Sequence, residues 1–189
     1  EWFDIDLQTA EKAILAVKNN ASNLSNTEVV AKAPIIFRPE QEEAIKRTIK
    51  QFKKSDRMLW NAKMRFGKTI CALEVVRQMN FHKTIILTHR PVVNEGWYED
   101  FTKVFRGSSS FIYGSKANGY TVDQLLNTDK NFVYFASVQD LRGSSQVGGK
   151  FDKNDSVFKT VWDCVIVDEA HEGTTTLLGE DTVKAVLKE

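Results

Sequence analysis

Cysteine is scarce in this chain, with two residues in 189, and that scarcity excludes a disulfide framework. Cys71 and Cys164 lie in strongly apolar surroundings with no second Cys or His at metal-ligand spacing, so both read as buried thiols of a reducing compartment rather than as zinc ligands. A surplus of charge is also missing. The 26 basic residues nearly cancel the 25 acidic ones, so no global field drives the protein toward nucleic acid or an anionic membrane, and any such contact must be local. Long hydrophobic runs are absent as well, the longest being strand-sized, and the N-terminus has no basic, then apolar, then small-residue leader. The default is therefore a cytoplasmic protein with no membrane partner. The chain begins at Glu1 rather than Met, as expected of a piece of something longer.

What is present is the composition of a globular α/β domain. Residues 1–33 suggest a helical lead-in, with Leu7, Ala10, Ile14 and Val17 at helical spacing, followed by a polar linker from Asn19 to Thr27. Residues 34–189 alternate short apolar runs with amphipathic helices, the pattern of a mainly parallel central sheet flanked by helices. Met58–Trp60, Thr84–Thr88, Phe132–Ala136 and Val165–Val167 are continuous rather than alternating, which predicts strands covered on both faces. A helix predicted from Thr69 to about Met79 makes Arg57–Thr88 the length of one βαβ unit. The stretches 107–130 and 141–155, rich in Gly, Ser, Asn and Lys, read as surface loops or insertions.

Two constellations carry chemistry. The segment Asn61-Ala62-Lys63-Met64-Arg65-Phe66-Gly67-Lys68-Thr69 follows a predicted strand and opens a predicted helix, the setting of a phosphate-binding loop. The backbone of Met64, Arg65 and Phe66 would cradle phosphates at a helix N-terminus, with Gly67 allowing close approach. Lys68 would reach the β and γ phosphates of ATP, and Thr69 would offer a hydroxyl to Mg²⁺. Ala62 stands where the motif usually has its first Gly, which is tolerable only if its φ stays negative. An ordinary strand-to-helix turn with a capping Thr would use some of the same residues.

The second constellation is Asp168-Glu169-Ala170-His171, delivered to the carboxyl end of a buried strand, where ligands bind in open α/β sheets. Asp168 suits Mg²⁺, and Glu169 suits polarising the water that attacks the γ phosphate. His171 suits nucleotide sensing, or a structural hydrogen bond equally well. A solvated acidic turn is the bland alternative for the whole box.

In this order and setting the two boxes resemble motifs I and II of the superfamily 2 DEAD/DEAH-box helicases and translocases. Phe37-Arg38-Pro39-Glu40-Gln41, Leu59 to Thr69, and Thr88-His89-Arg90-Pro91 resemble, more narrowly, the ATP-dependent subunit of type III-like restriction enzymes. The resemblance spans about Ile35 to Thr176. It implies a RecA-like P-loop domain, the first of two in a DNA-dependent ATPase, with Lys68, Asp168 and Glu169 catalytic and Thr69 and Asp168 on Mg²⁺.

It further implies that Gln41 reads adenine, that Phe37 or Arg38 stacks on the base, and that His171 lies near the nucleotide. Thr88 and Arg90, with Ser137 and Gln139, would face the DNA backbone, each with a bland alternative: helix caps, a surface ion pair, a loop polar group. A second RecA-like domain would supply an arginine, leaving this chain alone weak in binding and turnover, and a nuclease or methyltransferase module would lie elsewhere. The basic run Lys46, Arg47, Lys50, Lys53 and Lys54 reads instead as a solvated helix face. Trp97, Tyr98 and Phe101, at helical spacing, read as core before base-stacking platform. Two other readings stay open: a P-loop switch module with no nucleic-acid track, and a scaffold whose boxes have decayed, for which Ala62 is the only support.

Overall fold

The computed structural model describes residues 35–152, 154–168 and 177–188. The helical lead-in of 1–33, Glu169 and His171 lie outside the described residues. Every described element belongs to the unit Ile36–Glu189.

Four strands form one all-parallel sheet: β1 (Lys83–Thr88), β2 (Phe111–Ser115), β3 (Asn131–Ser137) and β4 (Cys164–Val167), in the order β2-β3-β1-β4. The helices are α1 (Pro39–Gln51), α2 (Lys68–Met79), α3 (Asn94–Val104), α4 (Val122–Leu126), α5 (Val138–Leu141), α6 (Asp155–Lys159) and α7 (Leu177–Leu187), with single 3-10 turns at Pro91–Val93 and Ser145–Val147. Ile85, Ile86 and Leu87 are successive and all fully buried, which requires cover on both faces of β1. Ile85 and Leu87 pack with Ala136, Leu141, Val157 and Phe158. A separate cluster joins α1 to α2 through Ile45, Cys71 and Val75, with Phe37, Phe52 and Trp60 against it. This is the α/β, RecA-like arrangement expected, and its sheet is parallel throughout.

Local chemistry explains the element ends. Pro39 opens α1, and the Gln41 side-chain carbonyl accepts from the Arg38 N–H at 2.8 Å, one half of a capping box, since the Arg38 side chain has no acceptor to return. Asn80 ends α2 in the left-handed region at φ 52°, and its side-chain oxygen accepts from Asn131 at the start of β3, at 2.8 Å. Glu74, the buried acid of α2, is no orphan. Burial alone would raise its pKa, but hydrogen bonds from Arg77 and Gln78 hold it below the usual value.

Two expectations fail. Met58–Trp60 is not a strand, so Arg57–Thr88 supplies the helix and second strand of a βαβ unit without the first. The run is apolar enough to be buried, but a strand also needs a hydrogen-bonded neighbour. Here Met58–Asn61 faces β4 across a cavity, Leu59 is 84% exposed, and the Trp60 indole is pinned by donating to Thr48 Oγ1 at 2.7 Å. The stretch 107–130 is also more than loop, for it contains β2 and α4. Gly114 disguised the strand. A Cβ there would meet Leu125 Cδ1 at 2.5 Å, so glycine is the residue that lets α4 lie close on β2.

Candidate functional site

The candidate phosphate loop runs from Asn61 to the first turn of α2. Two of its residues adopt positive φ, Arg65 at 61° and Gly67 at 88°, whereas Ala62 does not, so the missing glycine places no strain on the turn. The left-handed φ of Gly67 favours glycine, and a Cβ would stand 2.6 Å from Gln41 Nε2, so a larger residue would also push that side chain off the Phe66 carbonyl. The Phe66 carbonyl accepts from both Gln41 Nε2 and Arg38 Nη2, each at 2.7 Å. The Phe66 and Phe37 rings pack on the Ile45–Cys71–Val75 cluster, while Met64 is 92% exposed and Arg65 is exposed.

Gln41 has one bond on each side of its amide, donor to Phe66 and acceptor from Arg38. These partners fix which atom is oxygen and which nitrogen. They also leave one N–H and one oxygen lone pair unused.

Opposite the loop, the Asp168 backbone N–H donates to Leu87 O at 2.9 Å, extending the register in which Leu87 pairs with Val167. The two sides meet in a cavity of about 440 Å³. Most of its wall is apolar, from Phe52, Met58, Leu59, Val75 and the edge of β4. Polar groups gather where α2 begins and β4 ends, at Lys68, Thr69 and Asp168 with the Trp97 indole. That end alone suits a phosphate, because the apolar walls have few donors for an anion. The donor set there, one hydroxyl, one carboxylate and one ammonium, fits Mg²⁺ with phosphate: hard oxygen ligands for the metal and a fixed cation for the anion. Trp97 Nε1 donates to Asp168 Oδ2 at 3.2 Å. Its packing was legible in the sequence and this bond was not, although a buried indole N–H usually finds an acceptor.

The four residues expected at a nucleic-acid backbone divide in two. Thr88 and Ser137 are register partners on β1 and β3 and both are buried. The Thr88 hydroxyl donates to Arg90 O at 2.8 Å. Ser137 caps α5, accepting from the Asp140 N–H at 3.0 Å and donating to its carboxylate at 2.6 Å. Arg90 and Gln139 are exposed, each two residues beyond this pair. Lys46, Arg47, Lys50, Lys53 and Lys54 are all exposed, with Lys46 paired to Glu42 at 3.1 Å. Trp97 and Phe101 are core residues, whereas Tyr98 is 43% exposed and leans on Tyr113.

Burial pushes the Cys71 thiol up to about 11 and the Cys164 thiol up to about 12, so neither is a nucleophile near neutral pH. Both are free. Among the described residues, no helix is long and apolar enough to cross a membrane.

Residues 34–189 match the family model described as "Type III restriction enzyme, res subunit". Over 163 residues the chain is 27% identical to a protein of Mycoplasma pneumoniae named as the C-terminus of a putative type II restriction enzyme and methyltransferase. That match covers 81% of this chain and 22% of the relative, so the chain spans about a fifth of the relative's length. At family level these are helicase-like ATPase domains of restriction enzymes. With a parallel sheet that brings a Gly67-Lys68-Thr69 loop to the carboxyl end of the Asp168 strand, and a family match over most of its length, the chain belongs to the type III restriction enzyme res subunit family.

Proposed function

We propose that this chain is the first RecA-like, ATP-binding motor domain of a DNA-dependent ATPase, a helicase or double-stranded DNA translocase within a restriction or other DNA-processing enzyme. The observation that carries the proposal is the convergence of Lys68, Thr69 and Asp168 at the polar end of one cavity, where the start of a helix and the end of a strand meet. Lys68 binds the β and γ phosphates as a point charge. Thr69 and Asp168 hold Mg²⁺, which when bound neutralises charge on the phosphate oxygens. Glu169, next in the chain, orients and polarises the attacking water. Gln41 uses its spare donor and acceptor on adenine while continuing to hold Phe66 O, and Arg38 stacks on the base.

Arg90 and Gln139 take phosphates of the DNA backbone, which positions a duplex without reading its sequence. The proposal includes a second RecA-like domain contributing the arginine that stabilises the transferring phosphoryl group. It also includes a nuclease or methyltransferase module elsewhere in the protein, a reading favoured by the name of the Mycoplasma relative.

The test is ATP turnover by the whole protein that carries this chain, with and without added DNA. Turnover that rises with DNA and is abolished by Lys68→Ala or Glu169→Gln is expected. Equal turnover with and without DNA would remove the motor from the reading and leave a nucleotide switch.

A further inference from the structure

Asp168 is held in two independent ways. Its backbone is fixed by the hydrogen bond to Leu87 O, which sets the height of the residue but not the direction of its carboxylate. The direction is set by Trp97, whose indole Nε1 donates to Oδ2 from a residue 71 positions away. Trp97 is only 4% exposed, and its helix, α3, packs against α2, which begins with Lys68 and Thr69.

The helix is in turn tied down at both ends. Asn94 accepts from the Tyr113 hydroxyl at 2.8 Å, and Phe101 and Phe105 stack on each other with centroids 4.5 Å apart. Phe105 then rests on Phe111 at 4.4 Å. An indole so held has little freedom to turn. Its N–H is a donor only, and a buried donor that loses its acceptor is costly. Ring and carboxylate therefore constrain each other, and the bond occupies Oδ2 alone.

From this geometry we infer that Trp97 is a positioning residue for metal-bound nucleotide: by engaging Oδ2 it fixes the Asp168 carboxylate in the cavity that Thr69 also lines and leaves Oδ1 for the metal. The inference rests on the reading of Asp168 as a Mg²⁺ ligand. A hydrogen bond behind a ligating carboxylate fixes the ligand's orientation before the metal arrives, and loss of such a partner typically weakens metal binding about 10–100-fold. In this role Trp97 acts through Asp168 rather than on the nucleotide, so its loss leaves metal-free nucleotide binding intact.

The experiment compares the whole protein with its Trp97→Phe variant, which keeps an aromatic ring and deletes the N–H. Mn²⁺ binding to the ADP complex, read from the electron paramagnetic resonance of free Mn²⁺, should weaken about tenfold or more. The Mg²⁺ concentration for half-maximal ATP turnover should rise in parallel, with turnover at saturating Mg²⁺ much less affected and metal-free ADP affinity unchanged. Unchanged Mn²⁺ affinity, or a loss of stability with no change in metal demand, would overturn the inference and make Trp97 a packing residue only.

A second measurement does not depend on the variant folding. In protein labelled with ¹⁵N at tryptophan, one indole N–H signal should move on Asp168→Asn and move again when Mg²⁺ and ADP are added. Indole signals indifferent to both would also overturn it. Lys68→Ala serves as the control for the parent reading. If wild-type protein binds no Mn²⁺ with ADP, or if Lys68→Ala leaves ATP turnover intact, the proposed ATP site fails and the role of Trp97 fails with it.

Discussion

The two walls of the cavity between Lys68 and Asp168 are held by different kinds of bond. On the β4 side the backbone does the holding, through parallel pairing with β1 from Cys164 to Val167 and the Asp168 N–H on Leu87 O. On the loop side much of the holding falls to side chains: Gln41 and Arg38 on Phe66 O, and Trp60 on Thr48. A register is set by many residues together and resists any single substitution, whereas a side-chain latch fails when its donor is removed. The backbone of the carboxylate wall should therefore tolerate change around it, with the Trp97 bond to the Asp168 side chain as the exception, and the loop wall should loosen one residue at a time.

The largest effect should come from the loop's charged group. Lys68→Ala is expected to lower ATP turnover of the whole protein by at least about a hundredfold, measured at saturating nucleotide. Turnover within a few-fold of wild type would move the phosphate site away from this cavity.

Next is Gly67→Ala, which combines a left-handed φ with a Cβ 2.6 Å from Gln41 Nε2. A loss of about 1–2 kcal/mol of stability is expected in denaturant unfolding, with weaker nucleotide binding besides. Gly96 has nothing within 4 Å of a built Cβ and no positive φ, so Gly96→Ala, being in a helix, should be neutral or slightly stabilising. Equal costs at the two glycines would break the distinction.

Smaller effects sharpen the latch. Gln41→Ala should cost about 1 kcal/mol, because Arg38 still donates to the same carbonyl. The double variant with Arg38→Ala should cost more than the two single changes together, since only then is Phe66 O left without either donor. Thr48→Val keeps the side chain's shape but strands the Trp60 indole, again for about 1 kcal/mol.

The smallest effect is chemical. At pH 8 neither Cys71 nor Cys164, with pKa values raised by burial from 9.0 to about 11 and about 12, should be alkylated in native protein, while both should react in denaturant. The same shift gives the sign of a pH dependence. Below pH 9 the thiols are protonated in both states and favour neither. Above it the unfolded thiols ionise first, so stability falls as pH rises toward 11 and 12.

The backbone-held wall was also the more legible in the sequence. Thr84–Thr88, Phe132–Ala136 and Val165–Val167 are uninterrupted apolar runs, and they became β1, β3 and β4. Strands β1 and β3 are buried on both faces as such runs predict, whereas β4, at the sheet edge, is only half-buried throughout because it faces the cavity. The other wall was harder. Met58–Trp60 has the same texture, but apolarity signals burial and says nothing about a hydrogen-bonded neighbour. β2 was hidden by Gly114, whose value lies in what it lets Leu125 approach. Lys68, Thr69 and Asp168 could be named from local order, since each follows directly from a loop or strand end. The contacts that orient the site, Trp97 to Asp168 and Arg38 to Phe66, join residues 71 and 28 positions apart. No local pattern announces them.

The central claim is that the Gly67-Lys68-Thr69 loop and the Asp168 strand end form a single metal–nucleotide site. It is tested most directly by a double-mutant cycle on Mg²⁺-dependent ADP binding in the whole protein, using Thr69→Ala, Asp168→Asn and both together. If the two share one metal, each single change removes most of the Mg²⁺ enhancement and the double change adds little more. Fully additive losses, or ADP binding indifferent to Mg²⁺ in the unaltered protein, would contradict it.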